Sequence, residues 1–334
     1  MNKAAATRII RQLQNADRIL ITSHRDPDGD SVGSQLAFHE FWTRQRRRRA
    51  DVLNDGPLPA RYRCLDPRRI IRAPSSRARR NWDAAIVFEC SSLDRVGSVE
   101  PLLPPGLPII NIDHHQGSDR FGTINVVDPS RSSCTELVYE LLKHWRARIT
   151  PRMAQLLAAG ILTDTGRFHH PSTNVATFEN TAALLRLGAD ITQLTDRIYF
   201  ELPLPHFQLV HHVLGQAELR AGGRICLLTL RIRDRRRYGV SLQETEGLVD
   251  HSLSLKGVMV GALLKELGPR RTKVSLRSPG SVNVAALARR FGGGGHKNAA
   301  GCMIELPVRA TADALEDAIR SVLSNRRAVG NRKA

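Results

Sequence analysis

Cysteine is scarce and scattered in this chain. Cys64, Cys90, Cys134, Cys226 and Cys302 are an odd number among 334 residues, and none forms a Cys-x-x-Cys pair. That argues against a disulfide framework or a zinc knuckle and fits a reducing, cytoplasmic setting. No apolar run approaches the ~18 residues that a membrane span requires, so no membrane partner is expected. The charged N-terminal stretch lacks the apolar core of a secretory signal. No internal repeat is visible. Acids are in deficit: 32 Asp and Glu face 50 Lys and Arg, a formal net charge of +18. Such an excess attracts polyanions, although a generic Arg-rich surface accounts for it equally well. The Arg46 to Arg49 run reads as the solvated, exposed end of a helix.

The length favours two domains, and a composition 41% hydrophobic and 25% charged is that of a globular protein. Apolar spacing predicts a helix over residues 4–14, a strand over 18–22 and a helix over 29–42. Residues 84–88 (AAIVF) are a short, wholly apolar run and 107–112 (LPIINI) another, apolar but for Asn111, the mark of strands covered on both faces. Further helices are expected over 133–145, opened by a Ser133-x-x-Glu136 capping box, over 151–162 and over 174–187. Strands alternating with helices argue for an α/β domain with a mostly parallel sheet. The stretch 191–217 reads as a helical linker. Beyond it, strands near 224–231, 257–265 and 273–277 and a helix over 284–291 form a smaller α/β domain. Residues 327–334 read as a basic, frayed tail.

Acids and histidines gather where the apolar runs end. SHRDPDGDSVGS, residues 23–34, holds His24, Asp26, Asp28 and Asp30 just after the first strand. Asp-Pro-Asp-Gly alone is a turn, but a turn needs no histidine, and crowded carboxylates repel unless a cation sits among them. Glu89 follows AAIVF. Asp113-His114-His115 follows the next strand, where Asp113 alone is a possible helix cap. Asp164 closes an apolar helix in GILTDTGRF. In a parallel sheet such ends share one edge, where ligands bind. Together they offer enough carboxylates and imidazoles for two divalent ions. Oxygen with imidazole nitrogen suits Mn²⁺ first, with Mg²⁺ or Co²⁺ as alternatives. Two such ions activate a water and clamp a phosphate in line with it.

The second domain ends in RRFGGGGHKNAAG, residues 289–301. Four glycines cannot sit inside a stable helix or strand. The run is a flexible linker or an ordered loop, and the small apolar residues behind it favour the loop. Its bare N–H groups, those of Gly293, Gly294 and Gly295 among them, can form an anion nest, with His296 as a further donor. Arg277, ending the strand KVSLR, suits a bidentate phosphate pair. Arg131, Ser133 and Arg167 lie near the motifs as possible phosphate contacts, although Ser133 is better read as a cap. His169 and His170 have no firm role.

HRDPDGD, IDHH, GILTDTGRF and FGGGGHKNAAG together resemble the DHH/DHHA1 phosphoesterases, and among them the oligoribonucleases called nanoRNases. The likeness spans roughly residues 5–325. It implies a DHH catalytic domain over 1–190, the linker, and a DHHA1 substrate-binding domain over 218–326. It implies that His24 and Asp26 hold one metal ion and that Asp28, His114 and Asp164 hold the other. The bridging position is usually Asp, and here it is Glu89, longer by one methylene. The resemblance implies that Asp113 orients a histidine and that His115 faces the scissile phosphate as charge stabiliser or acid; it matches Asp30 to no role, and that residue is read as a turn or helix-start residue. It implies hydrolysis of oligoribonucleotides, dinucleotides to pentanucleotides, in a cleft between the domains, yielding nucleoside monophosphates. It allows a homodimer. The alternatives are a phosphatase for 3′-phosphoadenosine 5′-phosphate, a phosphodiesterase for linear or cyclic dinucleotides, and a nucleotide-binding sensor without catalysis. Packaging of nucleic acid rests on the charge alone.

Overall fold

The computed structural model describes residues 1–75, 81–245, 247–280 and 282–330. The chain divides into two compact units, Met1–Glu201 and Leu202–Ala334. Among the described residues no helix is long and apolar enough to cross a membrane.

The first unit is built on a six-stranded sheet, with β1 Arg18–Thr22, β2 Arg49–Leu53, β3 Ile71–Arg72, β4 Ala84–Phe88, β5 Ile109–Asp113 and β6 Ile124–Val127. All neighbours pair in parallel, in the order β3-β2-β1-β4-β5-β6. Strand side chains alternate between faces. Ile19, Ile21, Ile86, Phe88, Ile110 and Ile112 enter one core with the helices α1 Lys3–Leu13, α2 Gly29–Glu40, α3 Cys134–His144 and α4 Pro151–Asp164. Leu20, Ala85 and Val87 enter another, against Trp82, Val96, Val99 and Leu102. Burial on both faces is why AAIVF carries no polar residue. Phe38, Phe41, Trp42, Phe88 and Trp145 form an aromatic cluster with ring centroids 5.1–6.3 Å apart. α5 Val175–Arg186 and α6 Ile191–Thr195 complete the unit.

Two local expectations need correction. The Arg46–Arg49 run is a helix end only at its first residue: Arg46 N–H closes the wide turn after α2 on Phe41 O, Arg47 then takes a left-handed φ of 53°, and Arg49 already opens β2. The Trp42 indole N–H donates to the Arg49 carbonyl at 3.0 Å and anchors this reversal. Ser133 caps α3 as expected, but no capping box closes. Glu136 turns to Ser132 instead, accepting from its N–H and its hydroxyl.

The second unit opens with α7 Leu204–Leu214 and carries another six-stranded sheet, in the order β11-β12-β10-β9-β8-β7. Its strands are β7 Glu218–Arg220, β8 Ile225–Leu230, β9 Val260–Gly268, β10 Arg271–Arg277, β11 Gly294–Gly295 and β12 Ala299–Ile304. Only β8 and β9 pair in parallel. α9 Val284–Arg289 and α10 Val308–Gly330 lie with one core, and α7 and α8 Ile232–Tyr238 flank the other. Of the expected tail, 327–330 continue the backbone of α10, and 331–334 lie outside the described residues.

Candidate metal centre at the sheet edge

β1, β4 and β5 are neighbours running the same way, so the segments that follow them leave the sheet at one edge. The strand order reverses its winding between β1 and β4. In such sheets the loops part at that point and leave a crevice.

Each loop is held locally. Asp28 is the N-cap of α2, its Oδ1 accepting from the N–H groups of Asp30 and Ser31, while Ser31 Oγ accepts from Asp28 N–H. Two glycines let α2 lie against α4. A Cβ on Gly29 would come within 2.5 Å of the Thr163 side chain, and one on Gly33 within 2.4 Å of the Leu156 carbonyl. This approach brings the Asp28 turn to the end of α4, where Asp164 stands. Glu89 leaves β4 at φ +53°, a left-handed conformation that costs a non-glycine residue about 1–2 kcal/mol. Its N–H still donates to Ile112 O at 2.9 Å. Such strain persists only where the surroundings over-determine it.

The side chains converge. His24 Nε2 lies 2.9 Å from Glu89 Oε2, and donor atoms of His24, Asp28 and Glu89 fall within 4.8 Å of one another. A second trio, Asp30, Glu89 and His114, meets the same limit, so Glu89 belongs to both. His114 Nδ1 lies 3.2 Å from the Arg131 carbonyl, which only accepts, so Nδ1 carries the proton. Its Nε2 then faces Asp164 at 3.4 Å and Asp30 at 3.7 Å. Asp113 Oδ1 takes the N–H groups of His114 and His115 and the His115 Nδ1 at 2.7 Å, which fixes that ring. His115 Nε2 is left 3.9 Å from Glu89 Oε1.

Burial and crowding set the charges. Burial, then the charges of Asp28, Asp30 and Asp164, push the Glu89 carboxyl well above its usual range. Burial raises Asp30 to about 6 against the pull of His114. Asp28 stays low: burial is outweighed by His24, the Ser31 N–H and a hydrogen bond from Glu89. Burial lowers His24 to about 4, with Asp28 opposing. Burial would lower His114 too, but the carboxylates of Asp164, Asp30 and Asp113 outweigh it and raise the ring. Without a cation, protons on Glu89 and His114 relieve the repulsion. A divalent ion does the same for this donor set of carboxylate oxygen and imidazole nitrogen. His24 Nδ1 is buried with no hydrogen-bond partner among the described residues, which also fits a centre built for a cation.

Not every sequence candidate joins the cluster. Asp26 is exposed and outside both trios, although its charge reaches His24. The Arg131 guanidinium lies on Glu140 at 2.8 Å and Asp128 at 3.5 Å; what it brings to the centre is its carbonyl. Arg167 stacks over the Tyr199 ring at 4.6 Å.

In the second unit, Arg277 Nε donates to Asp250 at 2.8 Å. The glycine run is ordered rather than a linker, since Gly294 and Gly295 pair with Gly301 and Ala300. A Cβ on Gly293 would come within 2.2 Å of the Gly301 carbonyl. An anion nest does not form from the whole run. The N–H of Gly292 is used by Arg289 O, that of Gly293 by Ala288 O and that of His296 by Ala299 O, because the loop closes α9 and then turns a hairpin.

Asp30 is the residue whose part was least visible in the sequence. It begins α2 as expected, but it is fully buried and both its oxygens accept from the start of α3, from Cys134 N and Thr135 N. The only sequence signal was its alternation with Asp28.

Comparison with known proteins agrees with this layout. Residues 18–161 match the model of the DHH family, N-terminal domain, and residues 223–325 match the DHHA1 domain. The chain is 30% identical over 311 residues to the bifunctional oligoribonuclease and PAP phosphatase NrnA of Thermus thermophilus, covering 92% of this chain and 90% of that one. It is 26% identical over 302 residues to the protein of the same description from Bacillus subtilis, covering 89% and 93%. A crystal structure of an exopolyphosphatase-related protein from Bacteroides fragilis superposes with a TM-score of 0.86 at 25% identity, covering 96% of each chain.

Proposed function

The chain belongs to the DHH family, and on that premise we propose that this phosphoesterase cuts short oligoribonucleotides, dinucleotides to pentanucleotides, into nucleoside monophosphates. The observation that carries the reading is Glu89, one buried carboxylate shared by two trios of donor atoms at the winding reversal of the sheet. The oligoribonuclease in the names of the Thermus and Bacillus relatives supports the substrate class.

In this reading His24, Asp28 and Glu89 would hold one divalent ion, and Glu89 and His114 a second, with Asp164, outside both trios but 3.4 Å from His114 Nε2, taking the place of Asp30; Mn²⁺ is the best match to the donors. Asp26 is an outer contributor. Asp30 is a positioning residue, because its oxygens are engaged at the head of α3. When bound, the ions supply Lewis-acid stabilisation of the phosphate and a water nucleophile at neutral pH. The chain's own residues do the rest. The Arg131 carbonyl holds His114 in the tautomer that presents Nε2 to the centre. Asp113 accepts from His115 Nδ1–H and holds the ring with Nε2 towards Glu89; in its imidazolium form the ring donates from Nε2 to developing charge on a phosphoryl oxygen, and in its neutral form Nε2 only accepts. In the second unit, Arg277 and His296, with the glycine hairpin as their frame, are the groups suited to bind a phosphate.

The same names also carry PAP phosphatase. A site that grips a terminal phosphate and cleaves the next ester suits a bisphosphorylated nucleoside equally well. The test is hydrolysis of 5′-phosphorylated dinucleotide, pentanucleotide and a strand several times longer, beside 3′-phosphoadenosine 5′-phosphate, in Mn²⁺ and in EDTA. Fast Mn²⁺-dependent cleavage that falls with length is expected. Turnover of the bisphosphate alone would move the protein to the second reading, and binding without turnover would make it a sensor.

A further inference from the structure

A hollow of about 410 Å³ lies between α7 and α8, lined by Phe207, Gln208, His211, Arg237 and Tyr238. It is separate from the glycine hairpin. α7 and α8 pack with the core that takes Cys226, Leu228 and Leu263, while α9 packs with Ile225, Leu227, Ala262 and Leu264, the residues pointing to the other face of the same sheet. β11 is also the strand at the far edge from β7 and β8.

The lining has two chemistries. One is flat and apolar: Phe207 is 61% exposed, an unusual state for a phenylalanine, and the Tyr238 ring is held by His212 with centroids 5.6 Å apart. The other is cationic. α8 reads Ile-Arg-Asp-Arg-Arg-Arg-Tyr, and its single acid does not face outward. Asp234 is buried, accepting from Arg231 N–H at 3.1 Å and lying 3.3 Å from His212 Nε2. Arg237, in the lining, and Arg236, its neighbour on α8 outside the lining, are exposed, and no carboxylate pairs with either among the described residues. The Arg237 guanidinium sits 5.5 Å over the Tyr238 ring, a cation beside an aromatic face.

We propose that this hollow is a second docking site, for single-stranded polynucleotide, with bases stacking on Phe207 and Tyr238 and phosphates meeting Arg236 and Arg237. Exposed aromatic faces interleaved with unpaired guanidinium groups are the means by which single strands are held without regard to sequence. A hydrophobic peptide would leave the guanidinium groups unanswered, and an acidic one would not use Phe207. Binding here does not depend on hydrolysis, since nothing in this hollow is placed to cut.

The experiment is fluorescence anisotropy of a labelled single-stranded oligoadenylate with the full chain in EDTA, over a range of salt. The Arg236→Glu/Arg237→Glu double variant should bind at least about tenfold more weakly, with the slope of log affinity against log salt reduced by about 0.7 for each phosphate that is no longer neutralised. Phe207→Ala should weaken binding several-fold and leave that slope unchanged, because stacking releases no counterions. A duplex of equal length should bind less well than the strand. RNA and DNA strands bound equally fit stacking and phosphate pairing alone; tighter RNA adds a 2′-hydroxyl contact. Both variants acting like the parent would overturn the proposal, as would a duplex or polyglutamate competing as well as the strand. Dinucleotide hydrolysis in Mn²⁺ by the same variants should stay at the parent rate, which separates this site from the metal centre whichever substrate that centre prefers.

Discussion

The carboxylate of Asp30 accepts the backbone N–H of Thr135 at 2.9 Å, joining the first turn of α2 to the first turn of α3 across 105 residues of chain. Its other oxygen takes Cys134 N–H. One buried acid thus caps a helix it does not belong to and stands 3.7 Å from His114. An asparagine keeps one acceptor and an alanine keeps none. Asp30→Asn should therefore cost about 1 kcal/mol and Asp30→Ala about 2 kcal/mol, in line with caps and buried unmet donors elsewhere. Urea unfolding in EDTA measures both. Asp30→Ala as stable as the parent would remove Asp30 from this role.

Asp28 has two duties that different variants separate. Its Oδ1 caps α2, and in the proposed function its carboxylate also holds metal. Asp28→Asn keeps a cap but loses the charge, so folding should be nearly unchanged while turnover falls to background. Asp28→Ala should lose turnover and also about 1 kcal/mol of stability. Substantial residual hydrolysis by Asp28→Asn at saturating Mn²⁺ would refute the ligand assignment.

Glu89 combines a left-handed backbone with a reach to His24. Aspartate tolerates that backbone better than glutamate does, but its carboxylate ends one methylene short. Glu89→Asp should fold at least as well as the parent and stay active, with its metal preference altered. Glu89→Gln, with the reach but not the charge, should lose at least the roughly 10–100-fold in metal affinity that loss of a mere outer partner of a ligand costs. Titration of Mn²⁺, Mg²⁺ and Co²⁺ against activity checks the first, and Mn²⁺ binding read by electron paramagnetic resonance checks the second.

Much of this centre is legible from the amino-acid order alone, because its residues sit where apolar runs stop. β1 and β4 are readable to the residue from burial on both faces, and a parallel sheet then requires their ends to share an edge. What stays hidden follows from chemistry that leaves no periodic trace. β2 begins inside an arginine run, and its first residue reads as helix surface until Trp42 is seen holding Arg49. Asp30 looks like any acid in a first turn until the head of α3 arrives to meet it. The glycine run suggests free N–H groups, but closing α9 and turning the hairpin use several of them.

Asp113 and His115 give the centre a pH dependence of known sign. Burial would raise the Asp113 carboxyl, but the His115 hydrogen bond and the two histidine charges hold it well below the usual range. A carboxyl held lower in the folded chain than in the unfolded one stabilises the fold above its unfolded value, about 4. That contribution is lost as pH falls below it. Asp113→Asn should therefore be less stable than the parent at pH 7, and the gap should narrow progressively as the pH falls from about 4 towards the much lower value of the folded chain. Its kcat should also fall about 10–100-fold as the His115 ring loses its orientation. Unfolding in EDTA at stepped pH reads the first effect. A stability difference independent of pH would mean that the Asp113 charge contributes nothing.

Three consecutive residues after Asp164 and Thr165 take positive φ: Gly166 at 56°, Arg167 at 63° and Phe168 at 64°. Glycine is suited to this, but arginine and phenylalanine are not, and each costs about 1–2 kcal/mol there. The turn is held from outside. Arg167 stacks on Tyr199, Phe168 stacks on Phe178 at 5.4 Å, and a Cβ on Gly166 would come within 2.4 Å of the His170 ring. Relief of strain in Arg167→Gly offsets the lost stacking, worth about 0.5–1 kcal/mol, so stability should change by less than about 1 kcal/mol. If the turn serves to present the guanidinium, three residues after Asp164 and stacked on Tyr199, to a substrate phosphate, KM for the dinucleotide should rise about tenfold with kcat little changed. Arg167→Lys keeps the charge but not the planar stack or the fork, so it should recover only part of that loss. An unchanged KM in Arg167→Gly would leave the strained turn as a brace for Asp164 alone.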